Sequence, residues 1–181
     1  FRGGQTGSGN WPSAFALFIY AAAFSFAYVR LPTATGALLL FGAVQATMIS
    51  YGLYKGERLQ PLQRIGLALA LSGLLGLLLP GISAPPLGGS VLMLGAGVAW
   101  GVYSLRGKGA GDPTRVTAGN LLRAAPIAIA LSLLMLGLQR VTLDAAGHGY
   151  ALAAGALTSG LGSATWYTAV PTMHQTILSR A

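Results

Sequence analysis

The chain of 181 residues is 54% hydrophobic and only 8% charged, with a mean hydropathy of +0.65. Soluble domains carry about 25% charged residues, so there is too little charge here to cover a water-facing surface, and lipid must be the solvent for most of the chain. The absence of cysteine excludes disulfide scaffolds, thiolate metal sites and cysteine nucleophiles. The net charge of +8 does not indicate nucleic acid, because the basic residues lie between apolar runs, as membrane-topology signals do.

Apolar segments follow one another after a polar, glycine-rich connector at 1–12. The clearest one opens at Pro32, which suits the first turn of a helix, and stays uncharged up to Lys55. That length crosses a hydrocarbon core of about 30 Å. Because the chain starts at Phe1 and stops inside a seventh segment, we expect a fragment of a longer membrane protein. The predicted spans are 13–29, 33–54, 62–79, 90–105, 117–138 and 150–169, with a seventh beginning near 171.

Two patterns predict how these spans are arranged. Small residues four apart predict faces where helices pack on each other. Basic residues also favour alternate connectors: one set carries seven Lys and Arg, whereas the other carries only Arg30 and Arg140. The positive-inside rule therefore places the first set in the cytoplasm. The small pairs are Ser72 with Gly76, Gly97 with Gly101, and Ser159 with Ser163; the basic connectors are 1–12, 55–64, 106–116 and 169–172, and the others are 30–33, 80–90 and 139–149.

A short internal repeat links the start of the second span to the start of the seventh. Residues 28–33 read YVRLPT and residues 167–172 read YTAVPT, an offset of 139. Five crossings separate the second span from the seventh, and five is odd, so the two copies run in opposite directions across the membrane. Inverted repeats of this kind build secondary transporters, with the substrate site between the halves.

Several short motifs give the chain a family resemblance. They are GER at 56–58, LQRIG at 62–66, AWGVY at 99–103, and WY at 166–167 before Val170-Pro171. With the order of spans, they make the chain resemble the EamA-type transporters of the drug/metabolite transporter superfamily. The resemblance implies an all-α, polytopic membrane protein of ten helices in two inverted five-helix repeats with cytoplasmic termini. Residues 1–80 would hold the last three helices of the first repeat, and 90–181 the first three and the start of the fourth of the second. The family often has proline midway along its fourth helix, where this chain has Gln45.

Polar and aromatic residues in the predicted spans are candidates for a substrate cavity. Arg123 is the only basic residue well inside a span, and it could bind an anionic group with Asn120 on the same face, or its stem could snorkel to the nearer interface. Gln45 needs a partner, either another helix or a ligand. The aromatic candidates could equally form an interfacial belt. The full set is Gln45, Trp100, Tyr103, Asn120, Arg123, Trp166 and His174, with Tyr20 as a further aromatic residue.

Three further features have both a functional and a structural interpretation. The motif Gly56-Glu57-Arg58 is either a cytoplasmic gate or coupling site, or a solvated helix end with an interfacial ion pair. His174 could couple transport to protons, or be a histidine satisfied by a partner near a helix start. Pro126 should kink its span, which suggests a hinge.

The function predicted from these features is secondary transport of small metabolites or drug-like compounds, as an exporter, by alternating access. We expect a multi-pass protein of the inner (plasma) membrane that is not an enzyme and uses no cofactor, metal or nucleic acid. Its partners would be the bilayer and a small-molecule substrate. No carboxylate lies in a predicted span, so proton coupling stays open, as does a homodimer. The alternatives are an intramembrane hydrolase using Ser159 and His174, although no GxSxG motif is present, and a non-transporting membrane subunit.

Overall fold

The structure, a computed structural model, describes residues 9–78 and 85–138, together with residues 147, 149, 150, 153, 155 and 162. The described residues form an all-helical structure with five principal helices. Four of these helices, namely α1, α2, α4 and α5, are long and apolar enough to cross a membrane. This confirms the coarse prediction of a helical membrane protein. The helices are α1 (Trp11–Tyr28), α2 (Thr33–Tyr54), α3 (Pro61–Leu78), α4 (Leu87–Gly107) and α5 (Pro113–Gly137).

The first five predicted spans all form helices, and α2 begins and ends where the sequence predicts. The helices α1 and α5 begin two and four residues earlier than predicted, because polar residues cap them. The Asn10 side chain accepts a hydrogen bond from the backbone N–H of Ser13 at 2.9 Å. Asp112 accepts one from the N–H of Thr114 at 2.9 Å. A proline follows each cap within the first turn, so Asn10 and Asp112 act as N-caps of the usual kind. The sixth and seventh predicted spans lie largely outside the described residues.

The helix α2 ends in a Schellman motif. The N–H of Glu57 donates to the carbonyl of Gly52 at 3.0 Å, and the N–H of Gly56 donates to the carbonyl of Leu53 at 2.9 Å. This pattern requires a left-handed residue just past the helix, and Gly56 supplies it with a φ of +88°. The glycine of the GER motif therefore has a structural explanation in the geometry of the turn.

The helix α4 packs along both α1 and α2, while α2 also contacts α3. The core between α1, α2 and α4 is made of small and aliphatic side chains, with Leu39 and Met93 fully buried. The buried members of this cluster are Ala27, Leu31, Leu39, Leu40, Met93 and Ala96. These four helices, within Asn10–Gly109, form one compact unit, and Gly9 and α5 belong to a second. The assignment of the helices to two inverted repeats stays a prediction.

Two glycines let the backbone of α4 approach α2. A Cβ at Gly97 would lie 2.5 Å from the Cβ of Ala43 and 2.6 Å from the carbonyl oxygen of Leu40. A Cβ at Gly101 would lie 2.8 Å from the Cβ of Thr47. The predicted packing face of Gly97 and Gly101 is therefore confirmed. Within the described residues nothing lies within 4 Å of a Cβ built at Gly76, so its predicted contact stays a prediction. Ser159 and Ser163 lie outside the described residues.

Candidate functional site

Five aromatic rings form a continuous row along the interface of α1 and α4. The ring of Trp100 lies between Tyr20, at a centroid distance of 4.7 Å, and Tyr103, at 5.5 Å. The row continues along α1 from Tyr20 to Phe24 at 5.5 Å and from Phe24 to Tyr28 at 4.7 Å. Such tilted and edge-on pairs at these distances are favourable ring contacts.

The helical repeat explains why these rings meet. Tyr20, Phe24 and Tyr28 are four residues apart, which places them on one face of α1, and Trp100 and Tyr103 are three apart on α4. The structure thus brings together three residues that the sequence named as aromatic candidates. Trp100 keeps 36% of its surface exposed, and Tyr20 and Tyr103 are half-buried. The row therefore has an accessible edge, whereas its assignment to a substrate cavity stays a prediction.

Tyr28 closes the row at the turn between α1 and α2. Its hydroxyl donates to the carbonyl of Thr33 at 3.4 Å. Its ring lies against Gly36, where a Cβ would be 2.5 Å from the ring atom Cε1. The tyrosine of the YVRLPT motif therefore folds over the turn that the same motif forms. The second copy of the motif lies outside the described residues.

Arg123 and Asn120 lie in the second unit, on α5. The Arg123 side chain is half-buried and its Nη1 donates to the carbonyl of Gly119 at 2.9 Å, one turn toward the start of the helix. This is the direction that snorkelling requires. Asn120 is 1% exposed and lies against Gly9, where a Cβ would be 2.5 Å from its Oδ1. Both interpretations of this pair, anion binding and a purely structural role, stay open.

The remaining candidates lie apart from the aromatic row. Gln45 is exposed on α2, on the face it shares with the exposed side chains of Leu38 and Phe41. Glu57 and Arg58 are also exposed, and among the described residues they form no ion pair with each other. The described residues therefore show no ion pair at this helix end, and the choice between a gate and a solvated helix end stays a prediction.

The predicted hinge at Pro126 and the candidates Trp166 and His174 complete the set. The helix α5 runs without interruption through Pro126, which is exposed, and its role as a hinge stays a prediction. Trp166 and His174 lie outside the described residues. The part of the chain that the structure describes contains no group of three or more His, Asp or Glu side chains placed to hold a metal ion.

A polar contact between α1 and α4 was not predicted. The Nε of Arg106 donates to the Oγ of Ser13 at 3.1 Å, and its Nη2 donates to the Oδ1 of Asn10 at 3.3 Å. An asparagine shortly before Pro12 is a recognisable helix-start signal, so the sequence could have identified the cap. It could not have identified Arg106 as the partner, because 93 residues separate Arg106 from Ser13.

Comparison with known proteins gives a relative but no function. No protein-family model matches the chain, and no solved structure matches it. The chain is 60% identical over 163 residues to the protein of Pseudomonas aeruginosa (strain PAO1) named "Uncharacterized protein PA1977". The match covers 90% of this chain and 56% of that protein, so the chain spans little more than half the length of its relative.

Proposed function

We propose that the chain forms part of a secondary transporter of the inner (plasma) membrane that exports small metabolites or drug-like compounds by alternating access. The proposal assigns α1–α3 to one half and α4 and α5 to the other, in the inverted arrangement of the EamA-type transporters. A substrate site would lie between the halves near the middle of the bilayer.

The observation that carries the proposal is the packing of α4 along both α1 and α2. In the proposed arrangement this is an interface between the first helix of one half and two helices of the other. It combines backbone contact at Gly97 and Gly101 with the aromatic row. Small residues let membrane helices from the two halves pack closely. The aromatic row offers rings at which an organic substrate could stack.

The length of the relative also supports ten helices. Since 163 aligned residues are 56% of the Pseudomonas protein, that protein has about 290 residues. The first and sixth predicted spans start at residues 13 and 150, which is about 27 residues for each span with its connector. A chain of about 290 residues at that spacing accommodates about ten crossings, each of the roughly 20 residues that a bilayer needs.

In this proposal the aromatic row lines the substrate path. Considered separately, Arg123 with Asn120 is a candidate to bind an anionic group. Gln45 faces a helix or ligand that supplies its hydrogen bonds. The exposed face that Gln45 shares with Leu38 and Phe41 would otherwise place an amide in lipid, which is costly. Coupling to protons through His174 remains part of the proposal, because Glu57 and Asp112 both lie outside the helices of the described residues.

The test is transport by the complete protein in proteoliposomes. The vesicles are loaded in turn with amino acids, nucleosides, organic anions and cationic drugs, and efflux is compared with protein-free vesicles. We expect at least one class to move faster with protein present. Absence of flux for every class, from protein that is monodisperse before reconstitution, would contradict transport and favour a non-transporting subunit.

A further inference from the structure

The polar contact between Arg106 and the start of α1 joins two helices at one end of their interface. Arg106 lies in the last turn of α4, and its guanidinium donates to Ser13 at 3.1 Å and to Asn10 at 3.3 Å. Ser13 is only 3% exposed, whereas Arg106 and Asn10 are exposed. The contact therefore covers the end of the interface, with its inner bond shielded and its outer bond open to solvent.

This contact can break without unwinding either helix. Asn10 uses Oδ1 to cap the N–H of Ser13 at 2.9 Å, and the same oxygen accepts from Arg106. If Arg106 withdraws, the cap of α1 remains. The last turn of α4 likewise keeps its backbone bond, in which the N–H of Lys108 donates to the carbonyl of Leu105 at 3.4 Å. Breaking the two bonds of Arg106 therefore requires only a rotamer change of its long side chain.

Electrostatics make the contact weak enough to be reversible. Both acceptors are neutral, so the contact lacks the strength of an arginine–carboxylate pair. The guanidinium also lies at the N-terminus of α1, where the partial positive charge of the helix dipole disfavours a cation. The same group is favoured at the C-terminus of α4. These opposed effects leave a bond that forms in the packed state and is readily lost.

The opposite end of the α1–α4 interface is closed by apolar contact instead. A Cβ at Gly89 would lie 2.9 Å from the Cγ of Leu31, which is 5% exposed. The Arg30 side chain also lies at this end, with its Nη1 3.4 Å from a Cβ built at Gly88. Among the described residues, the two ends therefore differ in that side-chain hydrogen bonds join α4 to the start of α1 only at the Arg106 end. The Arg106 end belongs to the connectors that the positive-inside rule places in the cytoplasm.

We infer that Arg106, Ser13 and Asn10 form a latch that closes the α1–α4 interface on its cytoplasmic side and is released during the transport cycle. This inference rests on the proposed function. Because each half of the transporter contributes one helix to the latch, its release would let α1 move away from α4 at that face while the Leu31–Gly89 end stays closed.

The test measures closure directly through two buried alanines of α1. Ala14 lies beside the latch and Ala27 lies at the far end of the helix, and both are 0% exposed. Each is replaced in turn, as Ala14→Cys or Ala27→Cys, in the complete protein with any other cysteine removed. The rate of maleimide labelling then reports how often each end opens.

We expect Arg106→Ala to accelerate labelling of the Ala14→Cys protein about fivefold, which is about 1 kcal/mol at 1.4 kcal/mol per tenfold, without accelerating the Ala27→Cys protein. Lys108→Ala is the matched control. Lys108 lies two residues after Arg106, its side chain is exposed, and its replacement removes the same positive charge. Unchanged labelling with Arg106→Ala, or equal acceleration at both ends, would overturn the latch.

A second variant should shift the equilibrium between the open and closed latch toward the closed state. Asn10→Asp keeps a good N-cap and gives Arg106 a charged acceptor, so the latch should tighten. We expect labelling of the Ala14→Cys protein to slow about fivefold and any flux to fall. Unfolding would expose the thiol and speed labelling, so slower labelling of protein that remains monodisperse reports a tighter latch. Faster labelling with Asn10→Asp would overturn the inference.

The two proposals fail in different ways. Flux without a labelling response overturns the latch and leaves transport standing. A labelling response in protein that moves none of the tested compounds overturns the gating role and the transport proposal together, since the contact is then only a reversible tie between two helices.

Discussion

At Gly97 the backbone of α4 comes so close to α2 that a side chain has no space. An added methyl group would meet the Cβ of Ala43 at 2.5 Å and the carbonyl oxygen of Leu40 at 2.6 Å, and a backbone atom cannot rotate away. We expect Gly97→Ala to lower the free energy of unfolding in micelles by about 1–3 kcal/mol, the usual cost of overpacking. Denaturant titration of the purified protein measures this change.

Gly95 provides the control on the same helix. No atom of the described residues lies within 4 Å of a Cβ at this position, so Gly95→Ala should leave stability unchanged or raise it by roughly 0.5–1 kcal/mol through helix propensity. Equal destabilisation by the two substitutions would show that glycine itself, rather than the contact with α2, is what α4 requires.

Arg123 can be tested by transport kinetics, because anion binding and snorkelling predict different effects of its replacement on KM. If the guanidinium binds an anionic substrate group, Arg123→Ala should raise KM about tenfold or more, as expected for loss of a charged hydrogen bond. Arg123→Lys should keep part of the affinity. A side chain that only snorkels back along α5, as its bond to Gly119 at 2.9 Å allows, would leave the KM of every transported compound unchanged.

How far residue contacts could be predicted depends on their range along the chain. Gly97 with Gly101 was predicted as a packing pair because both lie within one helix repeat. The tilted contact between the rings of Trp100 and Tyr20 could not be predicted, because it depends on which helix lies beside α4 and at what height. The bond from Arg106 to Ser13 also depends on which helices lie side by side. The exposure of Gln45 depends on the same arrangement of helices.

Among the helices, the end of α2 shows how the Gly56-Glu57-Arg58 motif can have a local cause. Gly56 has a φ of +88° in the Schellman motif, a conformation that costs other residues about 1–2 kcal/mol. We expect Gly56→Ala to destabilise the protein by about that amount. Gly66→Ala on α3 has no such cost, because a Cβ there meets no atom of the part of the chain that the structure describes within 4 Å. Thermal unfolding in micelles compares the two.

Glu57, next to Gly56, allows a test of whether the motif has a role in transport besides forming the turn. Glu57 is exposed and, within the described residues, has no ion pair with Arg58. If the motif serves only the turn, Glu57→Gln should leave flux in proteoliposomes unchanged although Gly56→Ala lowers stability. A loss of flux in the Glu57→Gln protein, with unchanged thermal unfolding, would instead assign the carboxylate to a gate or coupling site.

Helix positions were predictable because lipid-facing helices need length and apolar composition, both of which are read directly along the chain. The exact residue at which each helix starts was harder to predict, because capping depends on single polar residues. Asn10 and Asp112 each extend a helix beyond its apolar run by accepting backbone N–H bonds at 2.9 Å. Hydrophobicity alone does not reveal these caps. An Asn or Asp shortly before a proline is the sequence signal that reveals them.

For the whole molecule, the decisive quantity is the number of crossings between the basic connectors. The connectors 55–64 and 106–116 are separated by α3 and α4. If both helices cross, the two connectors lie on one side, as the positive-inside rule predicts. If α3 does not cross, they lie on opposite sides and the inverted arrangement fails. The Nε of Arg64 donates to the carbonyl of Leu59 at 3.1 Å, which holds this charge at the start of α3 and leaves the rest of the helix apolar.

Site-directed labelling decides between these topologies, and the cysteine-free chain is suited to it. We expect a membrane-impermeant maleimide to label Arg58→Cys and Lys108→Cys proteins in inside-out vesicles only, and an Arg30→Cys protein in right-side-out cells only. All three side chains are exposed, so access depends on sidedness alone. Labelling of the Arg58→Cys and Lys108→Cys proteins from opposite sides would remove α3 from the set of spans. The even number of crossings between the two connectors would then be lost, and with it the reason to pair α2 with the seventh predicted segment as inverted copies.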